Sequence, residues 1–429
     1  MNNQSDGGNP LDKGSEMKCP FSEGNNDMFL QPESKEQNLS SDFDPVKKET
    51  FASAHEEYKE LRQKCPVAYS EAYDGFWALF KYQDIVSVLK EPATFVTSVQ
   101  NVVPKVSTTG RRPPLHLDPP EHTPYRRTLD PFFTDEKMSQ IEPLVRETTV
   151  QLLQDYIDAG GGDICTNFSH HLPGYVFAKF FNLPTELSME IREVTKLYVQ
   201  ALNKVDKPAI QQKSLELYDI ARTIIQMRKD NPLDPTEDVT SAFLAKTYKG
   251  EPLPDELVLG TIRQLIVVGM IAPVVFIGSM SVHLAQNPKI QDQLRKDPSL
   301  IPAAIEEYLR LFTPYRGFAR TPNKDVELGG RKIKQDEPIA VVFASANRDE
   351  EVFPNGDKFI LNRPNIKDHI AFGMGPHQCP GAPLARLMLR ITLKELLERT
   401  KNIELAGEVK MTPFPEWGPV SVPLKVEKV

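Results

Sequence analysis

Between residues 255 and 285 the chain reads as one long helix with no polar side chain from Gln264 to Ser279. A helix that is apolar on every side cannot lie on a surface. It must run through the interior of whatever fold this chain adopts. The unbroken apolar run, 265–278, is shorter than the ~20 residues that span a bilayer. Arg263 and Gln264 flank it on one side, and Ser279, Ser281 and His283 on the other. The segment is therefore expected to be a buried core helix rather than a membrane span. Pro273 near its centre removes the N–H that would bond the Gly269 carbonyl, which predicts a kink and a free carbonyl there.

The rest of the 429 residues suits a large core around such a helix. Apolar residues make up 40% and charged residues 26%, which excludes a wholly disordered, collagen-like or disulfide-framework chain. The net charge of −8 argues against binding nucleic acid through phosphates. Helical periodicity is predicted over 53–65, 82–89, 135–159, 185–203, 210–229 and 302–312, with a last long helix over 383–401. Short strands are predicted over 67–70, 75–80, 325–328 and 339–343. A Pro-rich irregular segment occupies 104–120. Residues 1–50 are polar, without an apolar leader, and read as a flexible tail ahead of one domain over 51–429.

The four cysteines, Cys19, Cys65, Cys165 and Cys379, form no CxxC pair and have no zinc-type histidine spacing. Reduced thiols in a cytoplasmic protein are expected. Cys379 stands apart from the others. It lies in Phe372-Gly373-Met374-Gly375-Pro376-His377-Gln378-Cys379-Pro380-Gly381, directly ahead of a predicted helix. Glycines and prolines there let backbone approach something flat. A helix N-terminus favours a thiolate.

This segment resembles the haem loop of the cytochrome P450 family, the haem-thiolate oxygenases, and further motifs carry the same resemblance. Glu307-Tyr308-Leu309-Arg310 matches the family's ExxR, with charges three apart on one helical face. Arg363 matches the third member of that buried ion network, and Ala346-Asn347-Arg348-Asp349 lies between. The resemblance implies a mainly α fold with small β-sheets: a triangular helical prism around a buried haem, crossed by a long central helix. It implies haem b (iron protoporphyrin IX) as cofactor and Cys379 as iron ligand. His122 and Arg126 match the family's HxxxR, and Arg320 and His377 match two further propionate-binding positions. Phe372 and Gly381 belong to the same cofactor loop. The other histidines are read as structural, with His369 a weaker haem-edge candidate.

One departure stands out. Matching Gly269 to the family's glycine puts Ile271 where an acid usually stands and Ala272 where an alcohol stands. Neither relays a proton. The expected activity is oxidation of a mainly apolar small molecule with O2 and electrons from a ferredoxin- or flavodoxin-type donor. Proton delivery is then substrate-assisted or water-assisted through the Gly269 carbonyl, or the oxidant is peroxide. The alternatives are a non-oxygenase haem-thiolate enzyme (isomerase, dehydratase or reductase) and a haem sensor. The resemblance further implies no membrane anchor and a monomer. It also suggests a donor-docking patch of Arg126, Arg127, Arg386 and Arg390. The pocket is expected over 95–103, Val268, Ile271, Ala272 and 314–318, with Arg316 there to meet a substrate anion or face solvent.

Overall fold

The computed structural model describes residues 40–429 apart from 48 and 106–108. The predicted tail over 1–39, including Cys19, lies outside the described residues. Residues 40–50, also read as tail, are packed onto the body. Phe43 is buried edge-on against Phe76 and Phe80. The Asp42 amide donates to the Tyr69 carbonyl at 2.7 Å, and the Tyr69 amide donates to the Asp42 carboxylate at 2.8 Å.

Helices dominate, and most lie where their periodicity predicts. Thr185–Asn203 agrees with 185–203, and Asp135–Asp158 agrees with 135–159 to one residue. The last long helix runs over Ala382–Arg399, with Pro383 in its first turn, where its missing N–H has no intrahelical partner to lose. It packs on Asp135–Asp158 and on Ile301–Leu311. A five-stranded sheet stands to one side, in the order Val67–Ser70, Phe76–Leu79, Ile339–Val341, Ala319–Pro322, Phe95–Val96. Its third strand pairs parallel to the second and antiparallel to the fourth, with Ile339 opposite Trp77 and Arg320. A second sheet joins Thr400–Leu405, Pro423–Lys428 and Gly161–Asp163.

The long apolar segment is two helices, Asp255–Val268 and Ala272–Gln286, rather than one kinked helix. Residues 269–271 form a turn between them, with the Met270 amide bonded to the Val267 carbonyl at 3.0 Å. Pro273 thus sits in the first turn of the second helix instead of mid-helix. No backbone N–H reaches the Gly269 carbonyl among the described residues. By length and composition Asp255–Gln286 would cross a membrane, but 72% of its most apolar window is buried within the fold. The interior therefore accounts for that surface. Gly278 brings the second helix against Cys165 and Pro419, since a Cβ there would lie 3.0 Å from the Cys165 sulfur.

Candidate active site

The cysteine loop is shaped by its glycines. Gly373 and Gly375 take φ values of +71° and +73°, which side-chain-bearing residues rarely adopt. The Cys379 amide donates to the Phe372 carbonyl at 2.9 Å, closing the loop on itself. The Gly381 and Ala382 amides, at the start of the following helix, lie near the sulfur and favour its anionic form. Burial nevertheless pushes the Cys379 thiol up, against those amides and the nearby Arg126 and Arg386. The helix N-terminus alone does not make a thiolate here. A cation at the sulfur would supply the missing charge. Cys65 and Cys165 are buried, whereas Cys379 is exposed.

Behind the loop, Glu307 and Arg310 are fully buried and paired at 2.7 Å. Arg363 joins Glu307 at 3.1 Å, and the Ile360 amide donates to the same carboxylate at 2.9 Å. Arg310 also donates to the Asn347 and Gly356 carbonyls, each at 2.7 Å. Burial alone would raise the Glu307 carboxyl, but hydrogen bonds from Arg310 and Arg363 hold it below its usual range. Asn347 carries the network to the loop, accepting from the Ile370 amide at 2.8 Å.

The four candidate propionate residues converge. The His122 and His377 rings lie 4.5 Å apart. Arg126 donates to the Gln378 carbonyl, next to Cys379, and pairs with Asp130 at 2.8 Å. Arg320, 7% exposed, donates to the Ala319 carbonyl but has no carboxylate within ion-pair distance among the described residues. Burial pushes its guanidinium down to about 10. His122 Nε2 is buried without a partner, and burial, then His377 and Arg126, depress that ring to about 3. A buried cation without an anion and an orphaned ring nitrogen, facing the same loop as the cysteine, fit an anionic edge such as the propionates of haem.

Sequence reasoning missed Asp118. It lies within the segment read as irregular, accepts from the Thr97 and Ser98 amides at 2.8 and 3.1 Å, and stands 3.7 Å from His377. Thr97 Oγ1 also meets His377 Nε2 at 3.2 Å. His377 is thus tied to the loop over the site. His369, a candidate for the haem edge, pairs instead with Glu306 at 3.0 Å.

Arg316 is corrected outright. It neither meets a substrate nor faces solvent. It is 1% exposed, pairs with Glu49 at 2.7 Å, and donates to Tyr58 Oη at 2.9 Å and to the Glu416 carbonyl at 2.8 Å. The anchored segment before residue 51 supplies its acid. Arg386 is likewise occupied, paired with Glu306 at 2.7 Å and lying over the Phe372 ring. Arg127 and Arg390 remain exposed.

At the helix break, Val268 is 43% exposed directly after the buried residues 261–267, and Ile271 and Ala272 are half-buried. At Gly269 a Cβ would fall 1.9 Å from the Phe177 ring. A cavity of about 240 Å³ opens along 97–102, bordered by Lys105, Gly110, Arg111 and His116. It includes most of the predicted pocket loop, but not 268–272 or 314–318. Its lining is more polar than predicted.

A helical fold that sets one cysteine at a helix start, backs it with a buried Glu–Arg–Arg network and adds the acid-free Arg320 and the orphaned His122 nitrogen fits an anionic, metal-bearing prosthetic group. The sequence profile of the family described as Cytochrome P450 matches residues 163–426. The chain is 31% identical over 357 residues to Cytochrome P450 109 of Bacillus spizizenii, spanning 82% of this chain and 85% of that one. It is 30% identical to the erythromycin C-12 hydroxylase of Saccharopolyspora erythraea, spanning 79% and 85%. The solved cytochrome P450 PksS of the Bacillus subtilis 168 bacillaene polyketide synthase superposes with a TM-score of 0.82 at 27% identity, over 90% of this chain and 100% of that one. The chain belongs to the cytochrome P450 family. It is a haem-dependent oxidoreductase of the monooxygenase type.

Proposed function

We propose that this enzyme oxidises a small, mainly apolar organic molecule at haem b, with Cys379 as the iron ligand. When bound, the haem activates oxygen for insertion into the substrate. The chain's residues do the rest. The Gly381 and Ala382 amides favour the anionic form of the ligand sulfur, and the loop through Phe372 holds it in place. Arg126, Arg320, His122 and His377 meet the propionates. Val268, Ile271 and Ala272 offer an apolar wall to the substrate. The observation that carries this reading is the accessible Cys379 in a glycine-shaped loop at a helix start, together with the buried Arg320 that has no acid among the described residues.

Ile271 and Ala272 leave no side chain to relay protons at the break. The Gly269 carbonyl, free of backbone donors, is the group available to hold a water, unless substrate supplies a hydroxyl or peroxide replaces O2. The same pair favours a second reading, a haem-thiolate isomerase, dehydratase or reductase. Electrons come from a ferredoxin- or flavodoxin-type donor docking at Arg127 and Arg390. The enzyme works as a cytoplasmic monomer, its domain spanning 51–429 together with the packed residues before it.

A carbon-monoxide difference spectrum tests the assignment. The wild type shows the thiolate band and Cys379→Ala loses it; a variant that kept it would refute the ligand. Turnover with a reductant, with peroxide and with neither separates oxygenase from peroxygenase and from non-oxidative chemistry. Ala272→Thr should lower peroxide release per NAD(P)H consumed. Unchanged coupling would refute the proton-relay argument.

A further inference from the structure

Glu416 is a buried acid outside the haem-binding set. It is 9% exposed, and no cationic side chain comes within ion-pair distance of its carboxylate among the described residues. Arg316 is the nearby cation, but its charge is already met by Glu49 at 2.7 Å. Burial pushes the Glu416 carboxyl up to about 7, although its own backbone amide and Arg316 favour the anion. The acid is thus buried without a counter-charge of its own, a costly arrangement unless a cation joins it.

Strand geometry fixes the face from which this side chain leaves. Tyr315 and Glu416 form an isolated antiparallel bridge. The flanking residues make its hydrogen bonds: the Arg316 amide donates to the Pro415 carbonyl at 3.2 Å, and the Trp417 amide to the Pro314 carbonyl at 2.8 Å. The pair is therefore of the non-hydrogen-bonded kind, with both side chains on one face and Cβ atoms roughly 4.5–5.5 Å apart. Gly317 lets the two strands close, because a Cβ there would collide with Pro415. Successive side chains alternate. Arg316 and Trp417 accordingly take the other face, where they meet Glu49 and Tyr58, and the Phe51 and His55 rings. The Tyr315 face is turned to the cysteine loop: Tyr315 stands within electrostatic reach of both Cys379 and Glu416. Its ring is backed by Phe318, centroid to centroid at 4.5 Å.

We propose that Glu416 and the Tyr315 ring bind a positively charged nitrogen of the substrate, so that the apolar molecules this enzyme oxidises carry a basic amine. The inference rests on the oxygenase reading above and names the substrate class of that site. An acid beside an aromatic ring suits an ammonium on two counts: the carboxylate supplies the opposite charge, and the ring attracts the cation. An ammonium also returns the carboxyl to the anion that burial disfavours. A hydroxyl or an apolar group would do neither. The charged end is thereby fixed at the bridge, and oxidation falls on the apolar remainder.

The test uses the haem-loaded enzyme and its Soret shift on titration with benzyltrimethylammonium, its uncharged carbon isostere neopentylbenzene, benzyldimethylamine and benzyl alcohol. Benzyltrimethylammonium has no lone pair to offer iron, so a preference for it does not come from nitrogen ligation. It should bind at least about tenfold tighter than neopentylbenzene. Glu416→Gln should bring that ratio to within about twofold of one and keep the carbon-monoxide thiolate band. In the wild type the ratio should rise several-fold between about pH 6 and about pH 8 as Glu416 ionises. Arg316 and Tyr315, the groups facing it, hold their charge states over that range, the first cationic beside Glu49 and the second neutral through burial. Equal affinity for the cation and its isostere would overturn the proposal, as would a preference that survives Glu416→Gln or a ratio that falls as pH rises. Benzyl alcohol outbinding benzyldimethylamine would overturn the amine assignment. Absence of the carbon-monoxide thiolate band in the wild type would instead defeat the oxygenase reading itself.

Discussion

Two sets of buried charge in this molecule are treated in opposite ways. Glu307, Arg310 and Arg363 form a closed set in which each charge has a counter-charge and the spare donors meet backbone carbonyls. Elsewhere Arg320, Arg112 and Arg263 are also buried, with no acid in contact among the described residues. The first arrangement is complete within the chain and stabilises the fold. The second has no counter-charge among the described residues. Burial by itself therefore does not separate structural from functional charge. The presence or absence of a partner does.

The largest effect should come from opening the closed set. Glu307→Ala strands two buried guanidiniums and should cost about 3–5 kcal/mol in denaturant unfolding. A loss below about 1 kcal/mol would show that the network does not hold the fold. Arg320→Leu should act with the opposite sign on the haem-free protein, leaving stability unchanged or raised by about 1–2 kcal/mol, because it removes an unpaired buried cation. It should also speed haem transfer to an acceptor apoprotein. Lower apo-stability with unchanged haem retention would make Arg320 a structural residue like Arg310.

A smaller, pH-dependent term belongs to Glu306. Burial would raise its carboxyl, but hydrogen bonds from His369 and Arg386 bring it down to about 2. A depressed folded pKa means stability present above the unfolded value near 4.5 and lost as pH falls from there towards 2. Glu306→Gln should cost about 1–2 kcal/mol at neutral pH and flatten the acid limb. An unchanged limb would mean the Glu306 bridge contributes nothing. The smallest effect on stability should follow charge reversal at the exposed Arg127 and Arg390, within about 0.5 kcal/mol. Electron-donor association should still fall at low salt and recover little as salt rises. An unaltered rate and salt dependence would place docking elsewhere.

Much of the closed side was legible in the chain. Glu307 and Arg310 are three apart on a helix, and the cysteine loop is contiguous, so local geometry brings these groups together. Helices such as Thr185–Asn203 follow from periodicity over many residues. The strand Ala319–Pro322 was missed because a four-residue strand is defined by partners at Phe95 and Ile339, far away in sequence. Arg316 was misassigned for a related reason: its acid, Glu49, lies in a segment that reads as tail.

By itself, then, the sequence determined the interior helix, the cysteine ahead of a helix and the pairing of Glu307 with Arg310. Each depends on spacing within a few turns. Only the tertiary structure decided that Arg112 and Arg263 meet without an acid, that Arg316 meets one, and that the central helix breaks fully at 269–271. The energy of a buried charge depends on every group around it, and those groups come from distant parts of the chain.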